Sequence, residues 1–258
     1  MPITLTAAEF EVAWELLGLG DLPLIFRVRI ERPGLTDDER TAAVRSGLDV
    51  LRRRGHAGRG GIGGELADQL MLLANPGWVV DARLHLDRPV WAYGAAGQGD
   101  GAALATLDGG LVTIAGSSRY ALPRDIAALA GEPPPGPGRS INVPAATLVA
   151  AGQLSGGDSQ RLGDELIDRG VPIGDARMLA KLNGEMFGSG QFGVEVVDHE
   201  GALRRAARVV GFCDSPQGRW AQLRTNGDQP WITFTPATPA RLAAMIGDLL
   251  AECGVRSG

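Results

Sequence analysis

The residues best suited to proton transfer, metal binding or nucleophilic attack are three histidines, two cysteines and a lone lysine. His56, His85 and His199 stand apart from one another. None falls in HExxH, and no Cys-x-x-Cys pair occurs, so the spacing that closes a zinc shell is missing. His85 and His199 each follow a strand-like run at matching places of an approximate repeat, where surface turns are the plain reading. A cluster of these two with Cys213 stays formally open without positive support. Cys213 and Cys253 make no spaced framework and read as ordinary thiols rather than as a disulfide. No Gly-x-Ser-x-Gly elbow is present. Asp37, Asp38 and Glu39 sit where a helix first turn favours acids, and Asp87, Asp108 and Asp214 read as turn residues. No nucleophile, base and oxyanion donor can be assembled, so the expectation is a binding protein, not an enzyme.

Two glycine-rich stretches carry the letters of phosphate-binding motifs and fail on context. Gly58-Arg-Gly60-Gly-Ile-Gly63 spells a dinucleotide fingerprint, which needs a strand before it so that the pyrophosphate meets a helix N-terminus. Leu51-Arg-Arg-Arg54 ahead of it is helical in character, and an inter-helix loop explains the glycines. Leu154-Ser-Gly-Gly157 with Gln160-Arg161 spells the ABC-ATPase signature, which works beside a Walker A lysine. The sole lysine, Lys181, lies between Ala180 and Leu182, so that reading is rejected. A turn into a helix capped by Asp158 or Ser155 accounts for the same letters. No cofactor and no metal are expected.

Any binding surface must be positioned by a repeated block of strands and helices. Trp78-Val-Val-Asp-Ala-Arg-Leu-His85 and Phe192-Gly-Val-Glu-Val-Val-Asp-His199 both read as strands that run from an aromatic to a histidine. Val90–Tyr93 and Val209–Phe212 follow, then the loops Gly94–Gly101 and Asp214–Gly218. Ala102–Leu107 and Gly218–Leu223 give third strands; Leu111–Ile114 and Trp231–Phe234 give fourth. Pro123 and Pro239 each open a closing helix. The short gaps leave no room for crossover helices, so the strands are predicted to be antiparallel.

Helices precede each block. Thr36-Asp-Asp-Glu39 is a capping box ahead of Val44, Leu48 and Leu51, and Glu65–Ala74 carries Leu66, Leu70 and Leu73. Thr6–Leu17 points Phe10, Trp14 and Leu17 inward. Asp158 caps a helix with Leu162, Leu166 and Ile167, and Pro172 opens one with Met178, Leu179 and Leu182. Leu242, Ile246, Leu249, Leu250 and Cys253 stripe the last helix. The Pro/Gly run beginning Gly131-Glu-Pro-Pro-Pro-Gly-Pro-Gly138 separates the blocks. The fold predicted is α+β, a single domain over 1–258. Its internal repeats span 36–130 and 155–253, joined by a linker over 131–146.

A net charge of −5 with no basic stripe argues against nucleic acid and against an anionic membrane surface. No run approaches the roughly 18 apolar residues of a membrane span. Met-Pro-Ile-Thr-Leu-Thr lacks the basic and apolar regions of a leader, so a cytoplasmic location is expected.

Two segments carry a family resemblance. They are Leu5-Thr-Ala-Ala-Glu-Phe-Glu-Val-Ala-Trp-Glu-Leu-Leu-Gly-Leu-Gly20 with Leu22-Pro-Leu, and Arg208-Val-Val-Gly-Phe-Cys-Asp-Ser-Pro-Gln-Gly-Arg219 leading to Trp231-Ile-Thr-Phe-Thr-Pro236 and Arg241-Leu242. In these the chain resembles the EspG family of type VII secretion chaperones, known from mycobacteria and related actinobacteria. The resemblance implies two similar halves that build one central antiparallel sheet flanked by two helical bundles. It also implies a cytosolic chaperone that keeps PPE-like helical substrates soluble, either alone or as PE/PPE-type heterodimers, and is itself a monomer or weak homodimer. By position, it implies contacts from the loop Gly94–Gly101, with Gly94, Ala95, Gln98 and Asp100, and from a helix of about Gly174 to Met186. There Met178, Leu182 and Met186 form a stripe, with Lys181, Asn183 and Glu185 as a polar rim. The same stripe also describes packing against the chain's own core, and the loop also reads as plain solvent loop. Two other readings remain: a small-molecule-binding or enzymatic α+β domain with a cleft between halves, and a self-associating domain with exposed strand edges.

Overall fold

The structure, a computed structural model, describes residues 1–30, 36–225 and 227–255; the side chain of Asp37, one of the expected first-turn acids, lies outside that description. The first part of the chain forms β1 (Ile3–Thr6), α1 (Ala7–Leu16), α2 (Leu24–Arg27), α3 (Asp37–Arg53), the small hairpin β2 (Ala57–Gly58) and β3 (Gly61–Ile62), and α4 (Gly64–Ala74). A meander follows: β4 (Trp78–His85), β5 (Pro89–Ala96), β6 (Gly101–Asp108) and β7 (Leu111–Ser118), closed by α5 (Leu122–Ala128). The second part forms β8 (Ile141–Pro144), α6 (Ala145–Ser155), α7 (Ser159–Asp168) and α8 (Ile173–Glu185). It continues with β9 (Gly188–Val197), β10 (Leu203–Arg205), β11 (Val210–Ser215), β12 (Gly218–Arg224), β13 (Trp231–Pro236) and α9 (Pro239–Glu252).

Among the described residues, one sheet contains all strands except β2 and β3. Its order is β1-β7-β6-β5-β4-β9-β11-β12-β13-β8, with β10 beside β9, and every pairing is antiparallel. The order reads alike outward from the β4–β9 seam, and the register fixes the correspondence. If Ile3 corresponds to Ile141, their partners Ile114 and Phe234 correspond. The next partners are then Ala105 and Gln222, Tyr93 and Gly211, and Asp81 and Gln191. Ala82 corresponds to Phe192, its own partner across the seam, so the approximate two-fold axis passes there.

This register corrects the alignment read from the letters. Val79 corresponds to Ser189 and His85 to Glu195, so His85 and His199 do not match; Phe192 lies in the middle of β9 rather than at its start. The matched aromatic-to-histidine runs were a coincidence of type, because strand register follows hydrogen bonding and burial, not residue letters. Two edge strands, β1 and β8, also fall outside the expected repeat. β8 and the start of α6 occupy residues placed in the linker.

The strands alternate faces. Trp78, Val80, Ala82, Leu84, Phe192, Val194, Val210 and Phe212 meet α5 and α9 on one face. On the other face α1–α4 cover Val79, Tyr93, Ala95, Ala103, Ala105 and Ile114, with Phe10, Trp14 and Phe26 packed ring to ring. On that same face α6–α8 cover Cys213, Trp220, Ile232 and Phe234. The helical ends follow local chemistry. Thr6–Glu9 and Thr36–Glu39 are reciprocal capping boxes, Asp158 accepts from the Arg161 N–H at 2.8 Å, and Pro123 and Pro239 sit in the first turns of α5 and α9. Leu154-Ser-Gly-Gly157 ends a helix, α6, through left-handed Gly156.

Asp214 is not a turn residue. It lies in β11, where it meets Arg219, which is 0% exposed in its side chain. Arg219 Nε and Nη2 donate to the two Asp214 oxygens at 2.7 Å each, Nη1 donates to the Gly131 carbonyl at 3.1 Å, and the guanidinium lies 4.4 Å from the Phe212 ring centre. The Pro/Gly connection is thereby tied to the sheet, and the Arg219 N–H adds a bond to the Pro134 carbonyl at 2.8 Å.

Candidate functional site

A cleft of about 580 Å³ opens between α6–α8 and the sheet. Its helix wall is apolar: Leu148 and Gly152 from α6, Leu162 from α7, Leu179 and Leu182 from α8, and Met186 at the α8 end. Its floor is the central strip of the sheet, where Arg83 and His85 of β4 face Ser189, Gly190 and Gln191 of β9, with Gln222 of β12 beyond. Asn183 of α8 adds a third amide, on the helix side. Cationic and amide groups line this cleft, and no carboxylate does, among the described residues.

Beside the floor, on the same face of the sheet, lies a charged seam. Asp81 is buried and receives Arg205 Nη1 at 2.7 Å; Arg205 also meets Glu195 at 2.6 Å, and Arg83 meets Asp81 at 3.2 Å. Arg205 reaches Asp81 by crossing Gly193, where an added Cβ would stand 2.0 Å from its Nη2. The seam joins β4 of the first part to β9 and β10 of the second, across the axis. Burial raises the Arg205 cost of charge, but the Asp81 and Glu195 carboxylates outweigh it and hold the guanidinium pKa above its ordinary value. Burial and the neighbouring Asp214 push the Cys213 thiol up to about 12, so it meets the cleft as a neutral, unreactive group. Cys213 and Cys253 are both free thiols, one buried and one half-buried.

A second cavity, about 1470 Å³, lies between α1, α3 and the β6–β7 turn. Its walls carry both signs of charge, paired as in Arg40–Glu15 at 2.9 Å and Arg88–Asp108 at 2.6 Å. The 580 Å³ cleft, with donors left over and an apolar wall, is the better binding site.

The structure separates the residues expected to act together. Gly94 and Ala95 are not in a loop: β5 runs on to Ala96, and both are buried. The strand continues because Gly94 pairs with Val80 and Leu104, and because α5 packs so closely that an added Cβ at Gly94 would meet Leu122 at 2.8 Å. The true loop, Gly97–Asp100, keeps Gln98 and Asp100 exposed. It is tied to Arg119 and Tyr120: the Arg119 N–H donates to the Asp100 carbonyl at 2.9 Å. This loop lies at the Trp78 end of β4, whereas the cleft lies at the His85 end, about 23 Å away at roughly 3.3 Å per strand residue. The strand connection beside the cleft is the β4–β5 turn, Leu86–Arg88.

On α8 the stripe divides. Leu182 is 5% exposed and packs in the core beneath the helices, touching the cleft from below. Met178 is half-buried against the same core. Met186 lines the cleft and is 46% exposed, next to Phe187 at 63%. Lys181 and Glu185 are exposed on the outer surface, and Glu185 accepts from Gln217 Nε2 at 2.7 Å. Arg83, Gln191 and Gln222 were missed by motif reading, and His85, read there as a turn residue, ends strand β4 and lines the cleft. Their signal was present in β4, where polar Asp81, Arg83 and His85 alternate with apolar Val80, Ala82 and Leu84 at the centre of a sheet.

The sequence profile of the EspG family matches residues 6–248, nearly the whole chain. The chain belongs to the EspG family. Among solved structures it is similar to the type VII secretion system chaperone EspG5 of Mycobacterium tuberculosis, determined in complex with a PE25–PPE41 dimer. The likeness has a TM-score of 0.76 and 18% identity, and covers 97% of this chain and 96% of that one. No curated protein matches the sequence. For this EspG-family chain the fold is thus the expected one, a central antiparallel sheet built by two related halves with helices flanking it. Among the described residues, no helix is long and apolar enough to cross a membrane.

Proposed function

We propose that this EspG-family protein is a cytoplasmic chaperone, not an enzyme, that binds PPE-like helical substrates, alone or as PE/PPE-type heterodimers, for type VII secretion. The observation that carries the reading is the family match over residues 6–248 together with a preformed cleft whose walls pair an apolar helix face with polar strand residues. The EspG5 neighbour was determined with a PE25–PPE41 dimer, which supports a client of the same class. Covering an apolar client tip removes it from water at roughly 25 cal/mol per Å² and withdraws it from self-association. Met186 and Phe187 supply exposed apolar contact at the rim, with Lys181 and Glu185 outside it. Gln98 and Asp100 belong to the far end of the sheet and would meet only a client that spans it. We read residues 1–258 as one unit of two related copies acting together, working as a monomer or weak homodimer. Co-expression with a PPE-like protein is expected to give a soluble complex of defined stoichiometry. A PPE-like protein that stays insoluble beside abundant soluble chaperone would remove the reading.

A further inference from the structure

We infer that the cleft is built for the C-terminal end of a client helix, and that Arg83 and His85 are the residues that read it; this rests on the chaperone function proposed above. Size is the first argument. One turn of helix with its side chains is a cylinder about 11 Å across and 5.4 Å tall, or about 500 Å³. The cleft, at about 580 Å³ and open to solvent on one side, matches one turn and its side chains in size.

Charge is the second argument. The protein has 30 acidic residues and a net charge of −5, yet among the described residues the cleft is lined by Arg83 and His85 and by no acid. The nearest carboxylate, Asp81, contacts Arg83 Nη1 at 3.2 Å but is shared with Arg205 at 2.7 Å, and neither Asp81 nor Glu195 lines the cleft. Arg83 is thus a cation with donors to spare, since guanidinium carries five N–H groups and no acceptor. Gln191, Gln222 and Asn183 share the cleft lining, with amides able to donate or accept; Asn183 Nδ2 already donates to Ser159 Oγ at 3.2 Å.

The last turn of a helix presents up to four unpaired carbonyls and the negative end of the macrodipole, which cations favour. A helix N-terminus would present N–H groups and positive potential to Arg83, and would be repelled. In the bound state the client's apolar side chains lie on Leu148, Leu179 and Met186, and its terminal carbonyls, with any acid in the turn that follows, meet Arg83 and His85.

The test uses the full chain and the PPE-like protein that copurifies with it, titrated as its PE-type heterodimer. Arg83→Gln is expected to weaken the complex at least tenfold and to flatten its salt dependence. His85→Gln is expected to weaken it about threefold, and Arg83→Lys to restore part of the loss. Thermal melts report whether each variant is folded; if Arg83→Gln is not, Arg83→Lys combined with His85→Gln carries the test. Wild-type affinity and salt dependence in folded Arg83→Gln would overturn the inference while leaving the chaperone function intact. Failure of the wild-type chain to bind any PPE-like protein would instead remove the function itself, and the inference with it.

Discussion

The two halves of the sheet carry the same register and opposite chemistry on the face toward the helices. Where the first half places Val79, Tyr93 and Ala105 under α1–α4, the corresponding positions of the second half are Ser189, Gly211 and Gln222. In the first half this strip is filled, with Phe10 against Trp14 and Phe26, and Phe26 against Tyr93; the larger cavity of that half lies beyond it, between α1, α3 and the β6–β7 turn. The second half is left hollow beneath α6–α8. In this strip the cleft opens where one copy carries smaller or more polar side chains than the other. The reverse exchange occurs at the hairpin tips on the other face: the paired Ala96 and Ala102 of the first half correspond to the ion-paired Asp214 and Arg219 of the second. A core of small side chains in one copy is there a buried charge pair in the other, holding the connection between the copies.

The largest effect is expected from breaking that buried pair. Arg219→Met strands a buried carboxylate and frees the Ala130 and Gly131 carbonyls, so it should cost about 3–5 kcal/mol in chemical denaturation. Converting Asp214 to Leu as well should recover part of the loss, because the second half then resembles the alanine-lined first. Full additivity of the two changes would refute the pairing. Next is closing the cleft. Gly211→Tyr imports the first half's Tyr93 into a position where an added Cβ makes ordinary contact with Gln222 at 3.4 Å. The chain should fold, and client affinity measured by titration should fall about a hundredfold, or roughly 2.7 kcal/mol. Unchanged affinity would show that the hollow half is not the site.

The smallest effect concerns the α1 capping box, which the second half lacks: Pro144 stands at the position of Thr6 and makes no side-chain cap. Thr6→Ala should cost about 1 kcal/mol at neutral pH. Burial raises the Glu9 pKa, but the Thr6 backbone N–H, Arg54 and the Thr6 hydroxyl outweigh it and hold the carboxyl below its ordinary 4.5. A depressed carboxylate pKa stabilises the fold above 4.5 and loses that contribution as pH falls through the folded-state value. The penalty of Glu9→Gln, which removes the carboxylate itself, should therefore shrink on acidification through that window; a penalty independent of pH in thermal melts would count against the box.

Four strands of each meander, though neither β10 nor the true start of β9, were legible in the residues alone, with their antiparallel sense, the capping of α3 and α7 and the proline-opened α5 and α9, because periodicity, caps and proline act within a few residues. The sequence also contained the family resemblance that named the fold. It did not place Gly94 and Ala95 in a strand, since glycine and alanine carry little strand preference and only the pairing on both sides, with Leu122 packed above, extends β5 past them. Short β1 and β8 were illegible for a related reason: four-residue edges are stabilised by their neighbours, not by their own composition. Asp214 looked like a turn acid until Arg219, across the hairpin, drew it into the interior. Which loop lies beside which helix, and which polar strand residues share a cleft, depend on contacts between residues a hundred positions apart. Only the assembled sheet, with its axis through Ala82 and Phe192, brings β4 of one half under α8 of the other.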